Sequence, residues 1–249
     1  MIFYFSGTGN SLDAAMQLQG EEKRIDIAEC MRKGDYHFSI EEGENVGFVF
    51  PVYFGGLPSI VQVFLSRISF DTAPKYLYAV LTCGGSMFGA GNMAAKALAK
   101  RGLELHAAFS VVMPDNYIFL FEPESEEAQS TKLQLAQKKL SAIRKCVEQR
   151  KHNDVSSTLL NRTVSAAMYP LYVRGRKTEK FYTDDQCIGC ATCVKRCPAN
   201  AMIMEGGRPK WIKEKCIHCM SCIRCGAVQY GTKTVDKKRY KNPVLNKCH

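Results

Sequence analysis

Eight of the twelve cysteines fall between Cys187 and Cys225, in two runs with regular spacing. The first reads Cys187-Ile-Gly-Cys190-Ala-Thr-Cys193-Val-Lys-Arg-Cys197-Pro198, and the second Cys216-Ile-His-Cys219-Met-Ser-Cys222-Ile-Arg-Cys225-Gly226. Three thiolates on one tight loop can reach three corners of a four-iron, four-sulfide cube, and the fourth corner takes a ligand from elsewhere. Two other chemistries fit less well. Zinc sites use two separated pairs of ligands, and disulfides belong to oxidising compartments. The second run departs from the first. Ala201 lies eight residues after Cys193, whereas Ala227 lies five after Cys222. Three residues are nearly a helical turn, so Cys225 is expected to reach its cluster from a shortened connection, leaving that cluster strained, easily lost or depleted to three irons.

The charge is as uneven as the cysteines. The formal net charge is +10, yet residues 1–152 carry 16 Lys and Arg against 17 Asp and Glu, while residues 153–249 carry 18 against 7. The basic excess therefore belongs to the half that holds the cysteine runs. Part of it offsets the clusters, each roughly a dianion with its four thiolates; the remainder can steer an acidic redox protein or touch nucleic acid. Arg174-Gly175-Arg176-Lys177 and Lys237-Lys238-Arg239-Tyr240-Lys241 are the densest basic stretches, and solvated charge is preferred over nucleic-acid contact for the second. Met1 runs straight into Ile2-Phe3-Tyr4-Phe5 with no basic leader. No apolar run approaches the length of a spanning helix. The cytoplasm is the expected compartment, with no membrane association.

These groups need elements to position them. Short apolar runs alternate with helical patterns from the N-terminus, which predicts a doubly wound, five-stranded parallel sheet covered on both faces. The expected strands are Ile2–Phe5, Arg24–Ala28, Val46–Val52, Tyr76–Thr82 and Leu105–Val112. Helices are expected over Ser11–Leu18, Ser59–Arg67, Met93–Arg101 and Glu126–His152, with Cys30–Gly43 an undefined connection. The last helix carries Leu133, Ala136, Leu140, Ile143 and Val147 on one face. Residues 1–152 form the first domain, 153–180 a basic connector whose Ala166–Val173 stretch packs between domains, and 181–249 a small module with a basic tail.

In such sheets ligands bind beyond the carboxyl ends of the strands. After the first strand comes Ser6-Gly7-Thr8-Gly9-Asn10-Ser11, a hydroxyl- and glycine-rich turn opening onto a helix, where backbone N–H groups and the helix dipole bind phosphate without lysine or arginine. It is neither a Walker loop nor a dinucleotide fingerprint. Pro51-Val52-Tyr53-Phe54-Gly55-Gly56 after the third strand offers an aromatic face to a flat ring. Thr82-Cys83-Gly84-Gly85-Ser86 after the fourth permits close backbone approach, and Asp115-Asn116-Tyr117 follows the fifth. Tyr53, Phe88 and Tyr117 serve equally as packing residues or ring contacts.

The N-terminal half resembles flavodoxins. Ser6 to Ser11 looks like their FMN-phosphate loop, and Tyr53 to Gly56 and Thr82 to Ser86 look like the loops that enclose the isoalloxazine. The cysteine half resembles bacterial two-cluster ferredoxins, of small α+β fold, in which the fourth cysteine of each run crosses to the other cluster. The chain as a whole resembles flavodoxin–ferredoxin fusion proteins. The resemblance implies FMN, contacted by Ser6, Thr8, Gly9, Asn10, Ser11, Val52, Tyr53, Phe54, Gly55, Thr82, Cys83, Gly84, Gly85, Asn116 and Tyr117. It also implies two [4Fe-4S] clusters, cluster I on Cys187, Cys190, Cys193 and Cys225 and cluster II on Cys216, Cys219, Cys222 and Cys197.

The expected function is intracellular electron transfer between clusters, FMN and an external, acidic redox protein. Two alternatives stay open: an FMN-dependent reductase of a small molecule fed by the clusters, and a module whose cluster status controls nucleic-acid or partner binding. Cys83 reads as a small packed residue, Cys30, Cys146 and Cys248 as free thiols, and His218 as a surface residue.

Overall fold

The structure, a computed structural model, describes every residue except 19, 21, 22 and 247–249. Cys248 therefore lies outside the described residues. In chain order the first elements are β1 (Ile2–Tyr4), α1 (Asn10–Leu18), β2 (Arg24–Asp26), α2 (Ile27–Lys33), β3 (His37–Phe38) and β4 (Asn45–Pro51). There follow α3 (Ser59–Leu65), β5 (Ser69–Phe70), β6 (Tyr76–Cys83), α4 (Ala90–Ala99), β7 (Ala107–Val112) and α5 (Glu126–Glu148).

Five strands pair in the order β2-β1-β4-β6-β7, all parallel. Numbered within the sheet this is 2-1-3-4-5, the flavodoxin-like doubly wound order, whose ligand crevice opens where the order reverses between β1 and β4. The eight residues of β6 are all buried, as a strand covered on both faces requires. One face is closed by α2, α3 and α4 over Phe3, Phe48 and Leu81; the other by α1 and α5, whose Ala136, Leu140, Ile143 and Val147 pack with Ala14, Ala15 and Leu18. Leu133, expected on that buried stripe, is half-buried.

Three sequence expectations change. The strand expected over Arg24–Ala28 stops at Asp26, whose carboxylate accepts the Ala28 N–H at 2.7 Å and starts α2; Gly34, at φ 77°, ends that helix in the left-handed region. The undefined connection is thus a helix followed by β3, which pairs in parallel with β5 and sets Phe38 against Phe3 at 4.7 Å between ring centroids. The last helix of this half ends at Glu148, four residues earlier than expected.

The connector holds a further helix, α6 (Leu159–Gly175), capped by Thr158 and containing Pro170. The C-terminal module then adds β8 (Phe181–Thr183), α7 (Thr192–Lys195), the hairpin β9 (Met202–Glu205) and β10 (Arg208–Trp211), and β11 (Val228–Tyr230), with β8 and β11 antiparallel. It does not float free of the sheet. Ile118 and Phe119, from the loop after β7, are buried in one core with Phe181, Met220, Ile223, Val228 and Tyr230. Phe119 stacks on Tyr230 at 4.1 Å.

Candidate functional site

The loops at the carboxyl ends of β1, β4, β6 and β7 converge on a cavity of about 320 Å³. Ser6, Thr8, Asn10, Ser11, Val52, Tyr53, Phe54, Gly55, Thr82, Cys83, Gly84, Gly85, Asn116 and Tyr117 all line it. Gly9 does not. Its α-carbon faces Asn242 and Leu245 of the C-terminal tail, while its N–H donates to Ser6 Oγ at 3.1 Å.

The polar side chains of the first loop hold its shape. Ser11 Oγ lies 2.7 Å from Thr82 Oγ1 across the crevice, Asn116 donates to Thr8, and Asn10 donates to the Pro114 carbonyl at 3.0 Å while its own oxygen accepts from Tyr240 at 2.7 Å. The donors left for a ligand are backbone N–H groups at the first turn of α1. Among the described residues no Lys or Arg lines the cavity, so an anion there would be held by neutral dipoles. The walls are aromatic: Phe54 meets Tyr117 edge-on at 5.3 Å and lies 6.2 Å from Tyr172. Tyr53 is enclosed, and burial first, then the neighbouring Cys219, drives its hydroxyl well above the usual tyrosine range. A flat apolar ring carrying a phosphate tail matches this arrangement of dry walls and neutral N–H cradle.

Part of the wall comes from elsewhere in the chain. Met168 and Tyr172 of α6 line the cavity, as do Leu120, Phe121 and His218. The placement of His218 corrects the expectation of a surface residue: it is 4% exposed. Its ring stands edge-on to Phe119 at 5.1 Å and to Phe181 at 5.8 Å, and its nitrogens lie 3.4 Å from Tyr117 Oη and 3.1 Å from the Lys177 carbonyl. Desolvation lowers its pKa, favouring the neutral ring. The reason is tertiary. The loop of the second cysteine run is pressed against the phosphate-loop candidate, so closely that a Cβ built on Gly7 would stand 1.9 Å from the Cys219 carbonyl oxygen.

Helix α6 clips the two halves together. Buried Ser165 Oγ accepts the Gly89 N–H at 2.8 Å and donates to the Gly55 carbonyl at 2.7 Å. Tyr172 Oη accepts the Ser59 N–H and donates to the Ile217 carbonyl, both at 3.1 Å, and Arg176 reaches Ser59 Oγ and the Cys216 carbonyl. Ser165→Ala leaves two buried backbone groups unpaired. The expected loss is about 2 kcal/mol or more, seen as a lower denaturant midpoint at unchanged slope; a loss well under 1 kcal/mol would show that the clip bears no load.

The eight cysteines divide into two groups. Cys197, Cys216, Cys219 and Cys222 line one small cavity with Phe181, Ala201, Met202 and Trp211. Burial pushes the Cys216 thiol up to about 11 and Cys219 to about 12, and holds Cys222 well above the usual range; the nearby Cys197 adds to each. Cys193 is raised by burial and then by Cys225 and Cys187. Cys197 thus stands with the second run, while Cys225 lines one groove with both Cys193 and Cys222. Sulfurs gathered in this way suit a cationic centre, which when bound would hold them as thiolates. Their loops help: the His218 N–H donates to Cys216 Sγ and the Ala201 N–H to Cys197 Sγ, both at 3.3 Å, and His218 and Met220 take φ of 55° and 62° to turn the backbone inward. Among the described residues no three or more His, Cys, Asp or Glu side chains converge at single-ion spacing. Cys225 ends a short 3-10 turn, Ile223–Cys225, that takes up the shortened connection.

Residues 179–225 match the 4Fe-4S dicluster domain. The C-terminal module is therefore an iron–sulfur module, and the chain has a redox role. No curated protein matches the chain in sequence. Among solved structures it is similar to a flavodoxin of Streptococcus pneumoniae TIGR4 (15% identity, TM-score 0.32), covering 57% of this chain and 97% of that one. It is also similar to the Trp repressor binding protein of Bacillus subtilis (11% identity, TM-score 0.34; 55% and 96% covered) and to an azoreductase of Bacillus anthracis (10% identity, TM-score 0.35; 59% and 98% covered). The fold assignment rests on the strand order and not on these scores. Among the described residues no helix is long and apolar enough to cross a membrane.

Pro114, Leu120, Phe121, Met168, Tyr172 and His218 are the lining residues that the sequence did not indicate. Only Met168 and Tyr172 carry a signal, since both fall in the apolar stretch expected to pack between the domains.

Proposed function

We propose that the chain is an electron-transfer iron–sulfur flavoprotein, with FMN in the cavity above the sheet, cluster I on Cys187, Cys190, Cys193 and Cys225, and cluster II on Cys197, Cys216, Cys219 and Cys222. The observation that carries this reading is the contact between the two cofactor loops, Gly7 against the Cys219 carbonyl with His218 completing the cavity wall. When bound, a flavin exchanges one or two electrons and a four-iron cluster one, so a chain holding both interconverts single and paired electrons. The residues of the chain supply the rest. Backbone N–H groups after Gly9 orient the phosphate, Tyr53, Phe54 and Tyr172 exclude water from the ring, and the His218 and Ala201 N–H groups stabilise negative charge on two ligand sulfurs. Cys190 and Cys225 are exposed while Cys197 and Cys219 are buried. That contrast favours the order surface, cluster I, cluster II, flavin, run in either direction.

The same reading assigns the chain to the reducing cytoplasm, in keeping with cysteines that are all free thiols among the described residues. A second reading, reduction of a small molecule at the flavin, is favoured by one feature: Leu120 and Phe121, 53% and 55% exposed, form an apolar lip at the cavity.

The test is anaerobic purification with iron, sulfide and flavin counted per chain, followed by rapid-mixing reduction. About eight irons and one FMN, with cluster and flavin absorbance relaxing together at a rate independent of protein concentration, are expected. Absence of flavin after adding FMN would sink the reading. Multiple turnovers with a panel of quinones would move the conclusion to the reductase.

A further inference from the structure

The module's positive charge exceeds what its clusters need. Residues 153–249 carry 18 Lys and Arg against 7 Asp and Glu. Two cubanes with their thiolates contribute about four negative charges, which leaves a surplus of about seven. Where that surplus sits can be read from the surface around cluster I.

Cys190 and Cys225 are the exposed cysteines of the two runs. Ile188, between Cys187 and Gly189, is 86% exposed, the most exposed large apolar side chain among the described residues. Beside Cys225 lies a groove of about 130 Å³ lined by Arg196, Arg224 and Lys241. Among the described residues none of these three cations forms an ion pair within 4.0 Å, although eight pairs form elsewhere. The carboxylates just ahead of the first run are already engaged: Asp184 accepts from Gln229 at 2.9 Å, and Asp185 faces Arg208 at 3.5 Å. An exposed apolar side chain in the loop of the first run, together with unpaired cations around Cys193 and Cys225, is the make-up of a transient redox interface. Such interfaces are small and use charge for speed and orientation more than for affinity.

We propose that the face formed by Ile188, Cys190, Arg196, Arg224, Cys225 and Lys241 docks an acidic one-electron carrier protein, whose carboxylates enter the cation groove while its redox centre approaches cluster I. This rests on the electron-transfer reading and adds the place and chemistry of the partner. The step is one electron lost by the carrier and gained by cluster I, or the reverse, with no bond made or broken. The apolar lip of the flavin cavity, Leu120 and Phe121, is left for the second exchange.

The experiment mixes holoprotein, shown to hold its full iron and flavin, with a chemically reduced acidic ferredoxin, and separately with reduced methyl viologen, a small cation. For the parent, the rate with ferredoxin is expected to fall about tenfold or more between about 50 mM and 500 mM salt. In Arg196→Gln/Lys241→Gln, and separately in Ile188→Asp, it is expected to fall about tenfold at low salt, while the viologen rate does not fall and cluster-to-flavin relaxation is unchanged. A ferredoxin rate insensitive to salt and to both variants would overturn the proposal while leaving the electron-transfer reading standing. So would tight binding of a duplex oligonucleotide that the same variants abolish, which would assign the face to nucleic acid. Loss of internal cluster-to-flavin transfer in the parent would instead defeat the underlying reading.

Discussion

Gly7→Ala is expected to be the most damaging single-methyl change in the molecule. The new Cβ would stand 1.9 Å from the Cys219 carbonyl oxygen, 2.9 Å from its carbonyl carbon and 3.0 Å from its Cβ. All three atoms belong to a loop held by Tyr172 and Arg176, which bond the Ile217 and Cys216 carbonyls, so little on that side can yield as a flexible side chain would. Gly7's own loop is pinned as well: the Phe5 N–H donates to the Val49 carbonyl at 2.9 Å, the Gly9 N–H to Ser6, and the Thr8 carbonyl accepts from Asn242 at 2.8 Å. Overpacking between two rigid backbones is expected to cost about 3 kcal/mol or more, roughly 6–12 °C in Tm for a chain of this size. Relief comes only by separating the cysteine loop from the cavity. Thermal stability and cluster-to-flavin transfer should therefore fall together. Gly34→Ala is the control: its φ of 77° makes alanine strained, but no atom lies within 4 Å of the new methyl. It should lose stability by about 1–2 kcal/mol and transfer electrons as before. If both variants lost stability and neither lost transfer, the loop contact would have no part in coupling the two sites.

The sequence carried the site's chemistry further than its enclosure. Cysteine spacing and the Ser6 to Ser11 loop are local patterns, fixed by what a short loop can reach, and they are legible without tertiary contacts. Helix α2 was also legible in principle, since Asp26 and Glu29 stand in capping-box spacing and Gly34 follows as the C-cap. His218 was not. Between two cluster ligands it reads as a loop residue, and what buries it is Phe119, a hundred residues earlier in the chain, together with Phe181 and Tyr230. The helix in the connector falls between these cases. Ser165, Tyr169, Tyr172 and Arg176 recur at the three-to-four spacing of one helical face, yet their partners, Gly55, Leu57, Ser59 and Cys216, lie in two different halves of the fold. Gly9 shows the converse. A residue placed correctly in its loop is turned toward the tail, because Asn242 and Leu245 occupy the space outside it.

Removing one cysteine from each run separates the two cluster sites and tests the crossed ligand assignment. Cys197 belongs to the first run by sequence but is 7% exposed, shares a cavity with Cys216, Cys219 and Cys222, and raises the thiol pKa of all three. Cys225 belongs to the second run but is exposed and raises Cys193. Cys197→Ala should therefore destroy the cluster that abuts the flavin cavity, and Cys225→Ala the one at the surface. Each variant is expected to drop from about eight irons to about four, so iron analysis alone cannot tell them apart. Function can. Reduced Cys225→Ala should still pass electrons between its remaining cluster and the flavin, because Cys219 and His218 keep their places against Gly7 and the cavity, while its exchange with an external protein slows. Reduced Cys197→Ala should keep a cluster that accepts electrons from outside and fails to relay them. It should also be the less stable of the two, since the emptied cage leaves half-buried Cys216 and Cys222 against the shared core of Phe119, Phe181 and Tyr230 and a buried Cys219 behind them. The reverse pattern, with internal transfer surviving in Cys197→Ala and lost in Cys225→Ala, would show that each run keeps its own fourth cysteine, the cluster on Cys216, Cys219, Cys222 and Cys225 being the one that faces the flavin.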